Sequence, residues 1–395
     1  MEDGRNGLPR PPRRIPANAG SLTHLEAPSR RAAPQPPPRR PWIFGRILAG
    51  FVVLLVIIAA GAGAGWFVHE QRLAIKTDEV LKSAGPAVVR VLATTCGSTG
   101  EASGVLIDNG RVLTAASAVA NPRSIVIVTE DGRIRRANLL GTSSDGVAVL
   151  QSIGLDGTPM HLAAADPDPK AQRALIGYTA AGKQTINQVG STDDPRALSE
   201  VMNTAKLGGP VVDKSGSLIG LVTGATVQAS AIVPLENLRG YVAVAPAGLT
   251  VATAGDCPHS RGPQIAVQPA LQVAGTPLNV EVQRLLGNYV TLENQQDFPR
   301  LQSLYSARYA KGMTEDRDRT NHQTTYFFNP KLTDVAPDGA YARMSYNVLF
   351  APTAKGADGQ NCNRLDVRFQ LVRVDGKLLI DRTVPMATPV SCDTD

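Results

Sequence analysis

Between Ile47 and Val68 the chain runs twenty-two residues without a charge, from Ile47-Leu48-Ala49-Gly50-Phe51 through Val52–Ile58 to Trp66-Phe67-Val68. At 1.5 Å rise per residue, a helix of that length matches the ~30 Å hydrocarbon core of a bilayer. The pattern predicts one membrane-spanning helix over residues 43–68, with lipid as its partner. A secretory signal peptide is the competing reading, and Ala62-Gly63-Ala64 would serve as its cleavage site. Signal h-regions usually run about 7–15 residues. This run is longer and comes after a 46-residue leader, so a retained anchor is expected.

Charge sets the orientation. Residues 1–46 carry nine arginines against Glu2, Asp3 and Glu26, a net charge of +6 that equals the charge of the whole chain. Residues 47–395 therefore balance 31 basic against 31 acidic side chains. An arginine-rich flank on a short N-terminal segment stays in the cytoplasm and exports the C-terminal part. A neutral exported portion offers no electrostatic footprint for phosphates, so nucleic acid is not an expected partner. The arginines suit the anionic inner leaflet instead. Residues 1–42 hold ten prolines and few large apolar side chains, which predicts a disordered tail. Within it, Gln35–Pro41 favours an extended polyproline conformation.

Beyond the span lie about 325 residues, enough for two cores. After a linker over 69–80, short strands dominate residues 81–245. Ala87–Leu92 is followed by Ala102–Ile107, the hairpin signal Asn109-Gly110 and then Val112-Leu113. Further strands are expected at Ser124–Val128, Val147–Leu150, Ala174–Tyr178, Pro210–Val212 and Leu218–Val222, with a short helix near Leu235–Tyr241. Many short strands with frequent turns point to an all-β barrel or sandwich. Residues 246–277 read as a linker. Over 278–395 the period changes: Val282, Leu285, Leu286 and Tyr289 form one helical face, and a second helix starts at Asp297. Alternating strands at Ala342–Phe350 and Leu365–Leu371 come next, so this unit is α+β.

The cysteines, Cys96, Cys257, Cys362 and Cys392, all lie beyond the span. None has a CxxC partner or a histidine at zinc spacing, so no metal and no cofactor are expected. An oxidising exterior allows two disulfides in three connectivities. Cys96–Cys257 and Cys362–Cys392 are expected because each pairing stays within one unit.

Three stretches carry a resemblance. They are Ser103–Asp108 leading into Arg111-Val112-Leu113-Thr114-Ala115-Ala116-Ser117-Ala118-Val119, then Gly141–Leu150, and then Ala205-Lys206-Leu207-Gly208-Gly209-Pro210-Val211-Val212. In this order, and followed by Ala231-Ile232-Val233-Pro234, they resemble the HtrA-type branch of the trypsin-like serine proteases over residues 81–245. The resemblance implies a trypsin-like double β-barrel. It also places the family's general-base histidine at Ser117, its orienting aspartate at Gly146 and its nucleophilic serine at Leu207. The glycine of the oxyanion hole falls at Ala205. Asp145 would restore a carboxylate after a one-residue slip. The C-terminal element order resembles the NTF2-like fold, a helix pair followed by a curved sheet. That fold would let Tyr289, Tyr305, Tyr309 and Tyr326 line a pocket, with Asp297 and His322 as candidate polar groups.

A serine protease needs a hydroxyl activated by a base that a third group orients. Leucine offers no attacking lone pair, serine takes up no proton near neutral pH, and glycine orients nothing. A Ser117–Lys206 dyad would need a lysine with a lowered pKa. His161, Ser103 and His259 have no evident catalytic companion. The expectation is therefore no enzyme activity: a pseudoenzyme, anchored in the membrane, that binds a protein or peptide partner outside the cytoplasm. The loop Ala205, Lys206, Leu207, Gly208 and Gly209 would be its binding surface, holding an extended segment by strand addition. The alternatives are an active endopeptidase using displaced residues and a small-ligand sensor built on the C-terminal unit.

Overall fold

The computed structural model describes residues 50–59, 74–108, 110–189, 204–225, 230–243, 248–250, 257 and 259–393. The chain divides into Met1–Gly65 and Trp66–Asp395. In the first part residues 50–59 are helical, with Phe51–Ile58 exposed. The rest of the expected span and the tail 1–42 lie outside the described residues, among which no helix is long and apolar enough to cross a membrane.

The second part opens with α1 (Thr77–Ala84) and then builds a closed barrel. Its strands are β1 (Val88–Thr95), β2 (Glu101–Asp108), β3 (Arg111–Ala115), β4 (Pro122–Val128), β5 (Ile134–Thr142) and β6 (Val147–Ser152). They close in the order β1-β2-β3-β6-β5-β4, and the short helix α2 (Ala116–Val119) leaves the end of β3. Strands β7 (Arg173–Tyr178), β8 (Gln184–Val189), β9 (Pro210–Val212), β10 (Leu218–Ala225) and β11 (Ser230–Pro234) come next, and then α3 (Leu235–Val242). They form a sheet in the order β11-β10-β9-β7-β8. The expectation was two barrels; among the described residues this second sheet is open, because no described ladder joins β11 to β8.

Strands β3 and β6 are nearly continuous apolar runs because both their faces are buried, whereas β5 alternates with exposed polar residues. Val89, Val91, Leu106, Val112, Ile125, Ile127, Ala148 and Leu150 fill the interior. Their neighbours along the chain, Val105, Ile107, Leu113, Val147 and Val149, turn outward against Ile176, Tyr178, Leu218 and Leu221 of the second sheet. On another side Leu92, Val126, Val128 and Ile134 pack against Tyr326, Phe328, Leu349, Cys362 and Cys392.

Those last residues belong to the C-terminal sheet. Its strands β12 (Ala270–Leu271), β13 (Tyr326–Val335), β14 (Tyr341–Leu349), β15 (Cys362–Val374) and β16 (Lys377–Pro385) lie in sequence order, and β17 (Val390–Ser391) pairs with β15. The helices α4 (Pro277–Gln295), α5 (Phe298–Leu301), α6 (Ala307–Gly312) and α7 (Glu315–His322) cover the other face. Alternation divides β13 between two cores: Phe327 meets Val282, Leu286 and Tyr346, whereas Tyr326 and Phe328 meet the barrel. Thr276, Asp297, Ser306 and Thr314 cap the four helices through their side chains.

The stretch expected to be a linker is tied down at several points. Thr95 and Arg261 exchange backbone hydrogen bonds of 2.9 Å, and Ala270 and Leu271 pair in parallel with Lys331 and Leu332. Both disulfides form, Cys96–Cys257 and Cys362–Cys392, with Cα separations of 5.9 and 5.4 Å.

One buried ion pair crosses β1 and β2. Arg90 Nε and Nη2 donate to Glu101 Oε1 at 3.0 and 2.5 Å, and Nη2 also reaches the Ala180 carbonyl at 3.1 Å. Burial pushes the Glu101 carboxyl up and Arg90 pulls it back. Arg90→Ala would strand that carboxylate, so it is expected to destabilise the fold by about 3–5 kcal/mol in chemical denaturation. The paired apolar variant Arg90→Met/Glu101→Leu is expected to recover most of the loss.

Candidate functional site

The loop before β9 is held by its backbone. A single 3-10 turn over Thr204–Lys206 leads into Leu207, Gly208 and Gly209. The Ser103 amide donates to the Leu207 carbonyl at 2.8 Å. Ser103 Oγ donates to the Ala205 carbonyl at 2.6 Å and accepts from the Tyr178 amide at 2.8 Å. The Gly208 amide donates to Val222 O at 2.6 Å and the Gly209 amide to Lys206 O at 3.0 Å. Gly208 sits at φ +76°, and a Cβ there would lie 2.3 Å from the Ser103 carbonyl oxygen and 2.7 Å from the Ala115 nitrogen. Only glycine fits both constraints. Lys206 is buried, Nζ donates to Asn187 Oδ1 at 2.5 Å, and burial pulls its pKa below the usual lysine range.

That contact with Ala115 places the loop against the end of β3, where α2 begins with Ala116 and carries the exposed Ser117. The Ala116 amide donates to the Gly146 carbonyl at 2.8 Å. Backbone contacts thus draw the neighbourhoods of Ser117, Gly146 and Leu207 together where the barrel meets the second sheet. The side chains brought there are a hydroxyl, a hydrogen atom and a half-buried isobutyl group. Gly146 takes φ +86°, the left-handed region that disfavours a carboxylate-bearing residue. Asp145 is engaged elsewhere, accepting from Tyr241 Oη at 2.6 Å, from Asn237 Nδ2 at 3.3 Å and from Ser143 Oγ. Burial raises its pKa, but these three hydrogen bonds outweigh that and leave it low. His161 and His259 are exposed.

In the C-terminal part Asp297 serves as the cap of α5, accepting from the Arg300 amide at 3.2 Å. His322 stands beside two buried carboxyls absent from the sequence-based candidates, Glu293 on α4 and Asp318 on α7. Their donor atoms and a His322 ring nitrogen all lie within 4.8 Å of one another, a separation that metal ligands can have. Tyr289, Tyr305 and Tyr309 belong to this core, whereas Tyr326 faces the barrel and Tyr346 joins from β14 instead. Glu293 left a readable signal, since it continues the stripe Val282, Leu286, Tyr289 at helical spacing. Burial pushes Glu293 up to about 8, opposed by the Tyr289 hydroxyl. Burial and the Glu293 charge push Asp318 up to about 7. Burial pulls His322 down to about 4.

The comparisons bear on the first site. Residues 102–221 match the family model of the trypsin-like peptidase domain. Over those residues the chain is similar to a trypsin-like peptidase domain. Two curated relatives from Mycobacterium tuberculosis strains, "Serine protease MT3772" and "Serine protease Rv3671c", are 25% identical over 175 residues, covering 39% of this chain. The match spans 44% of each relative's length. Among solved structures, the active form of the Rv3671c protease superposes with a TM-score of 0.38 at 23% identity, covering 45% of this chain and 88% of that one. The serine endoprotease from Yersinia pestis gives 0.37 at 22% identity, covering 42% of this chain and 65% of that one. The expectation of a chain without enzymatic activity does not stand against these relatives, which are named serine proteases.

Gly208→Ala is expected to destabilise the fold by more than the ~1 kcal/mol of a permissive glycine change, because its Cβ meets backbone rather than a movable side chain. Thermal unfolding measures this. A pH scan tests the buried cluster. In the unfolded chain both carboxyls ionise near pH 4. Above that the folded state keeps protons the unfolded chain has lost, so stability falls as pH rises, until about pH 8. His322 has a depressed value; the stability lost through it disappears as pH rises above about 6.5. From pH 6.5 to 8, chelator-treated protein is expected to lose on the order of 1 kcal/mol per pH unit. Glu293→Gln is expected to flatten that slope.

Proposed function

We propose that the chain is a membrane-tethered envelope protein whose trypsin-like domain takes an extended polypeptide segment as its ligand. The segment lies along the second sheet, beside the loop Ala205–Gly209, and the apolar run 47–68 holds the domain outside the cytoplasm. The observation that carries this reading is the loop itself. Hydrogen bonds to Ser103, Val222 and Lys206 hold Ala205–Gly209 in one fixed backbone conformation, and a Cβ at Gly208 would clash with backbone, so the loop offers a preformed surface beside the sheet. The sheet beside it ends on β11 and β8 in the described residues, and an open sheet edge recruits an extended segment through main-chain hydrogen bonds. The C-terminal part, resembling an NTF2-like unit, packs against the barrel and braces it. The relatives' names favour a second reading, in which the same site also hydrolyses the polypeptide it holds.

Hydrogen exchange on the full-length chain with a library of extended peptides tests the binding. Protection is expected in residues 204–209 and in the edge strand β8 or β11, with weaker binding when a peptide's central amide is replaced by proline. No protection by any peptide would remove the proposal. A fluorophosphonate probe tests the second reading. Labelling abolished by Ser117→Ala, the exposed serine of the site, supports hydrolysis there; a chain that takes no label in any form removes it.

A further inference from the structure

We propose that Glu293, Asp318 and His322 form a binding site for a divalent first-row transition-metal ion of the zinc class, inside the helical layer of the C-terminal part. Asp318 and His322 stand four residues apart on α7 and so share one face. Glu293 comes from the last turn of α4 and meets them from a separate element, with Oε1 3.9 Å from His322 Nε2.

The second observation is unmet bonding. Glu293 is 0% exposed and neither of its oxygens meets a donor in good hydrogen-bond geometry among the described residues; the Tyr289 hydroxyl nearby only partly eases the burial of its charge. A buried carboxyl without well-placed donors is costly, and the surrounding core is mostly apolar. A cation placed between the three side chains satisfies the carboxylates and the imidazole together. Two carboxylates and a neutral imidazole carry a charge of −2, which a divalent ion cancels.

The donor set selects the class of ion. One imidazole nitrogen with two carboxylates suits zinc and its neighbours, whereas calcium demands six to eight oxygens and magnesium holds mostly water. Ligand bonds of about 2.0–2.2 Å set donor separations near 3.3 Å in a tetrahedral site. The observed spread of up to 4.8 Å closes with small side-chain rotations. An outer partner is in place: Gln302 Nε2 donates to Asp318 Oδ2 at 2.9 Å, which orients that carboxylate and leaves Oδ1 for the ion. His322 gives a route in, since 24% of its side chain is exposed while Glu293 is sealed. Three protein ligands leave one position open, and Tyr289, Tyr305 and Tyr346 belong to the same core.

The test uses the full-length chain, stripped with EDTA and then equilibrated with zinc chloride. One zinc per chain is expected to survive gel filtration, and zinc but not magnesium is expected to raise the melting temperature. Cobalt(II) in its place is expected to give visible d–d absorption. Gln302→Ala should weaken zinc binding about 10–100-fold. Glu293→Gln and His322→Asn should weaken it further and abolish the cobalt spectrum, while His161→Ala and His259→Ala should leave both unchanged. A wild-type chain that retains no zinc overturns the proposal, as does retention that is the same in Glu293→Gln and His322→Asn. If Glu293→Gln fails to fold, His322→Asn and Gln302→Ala decide between the same two outcomes.

Discussion

The barrel wall has no solvent side where it matters most. Residues of β2, β3 and β6 alternate between an interior filled by Leu106, Val112 and Leu150 and an outer layer of Val105, Leu113 and Val149 that packs on the second sheet. A third side, through Leu92, Val126 and Ile134, meets the C-terminal sheet. Burying apolar surface on both faces stabilises these strands by about 25 cal/mol for each Å² removed from water. Everything else is placed by reference to them. The loop before β9 is pinned to Ser103 of β2, α2 leaves the end of β3, and the turn at Gly146 enters β6.

This arrangement explains how the region around Ser117, Gly146 and Leu207 holds its shape independently of the side chains it carries. The positions of Ser117, Gly146 and Leu207 are set by main-chain hydrogen bonds and by glycines with positive φ, neither of which depends on side-chain chemistry. Ser103, fully buried, supplies an amide, a hydroxyl and a carbonyl to the loop, the loop-facing amide of Tyr178 and Thr114. Scaffold and chemistry are thus separable, as the general independence of fold and function requires.

The C-terminal part solves a different problem. Its sheet is buried on both sides at β13, against the barrel and against the helices, so polar groups can enter its core only with partners. Asn294 is buried but satisfied, exchanging hydrogen bonds of 2.9 and 2.7 Å with the backbone of Phe327. Glu293, its neighbour in the chain, is equally buried and unsatisfied. The contrast between adjacent residues marks the Glu293 cluster as a place where packing alone does not account for the side chains.

The barrel strands, the change of period near residue 278 and the cysteine pairings were legible in the residue pattern, because apolar periodicity and turn residues act over a few positions at a time. The turns and apolar runs around Ser117, Gly146 and Leu207 were legible too, because glycines and strand patterns mark them. Activity was not, since it belongs to a constellation rather than to any one side chain, and the named relatives corrected that inference. By itself, then, the sequence determined which segments become strand or helix and which face of each is apolar. Tertiary structure alone decided that the second sheet stays open in the described residues, that Tyr346 replaces Tyr326 in the helical core, and that Glu293 meets Asp318 and His322. The reason is physical: local pattern specifies one element's face, but which faces share a core depends on contacts between segments tens of residues apart.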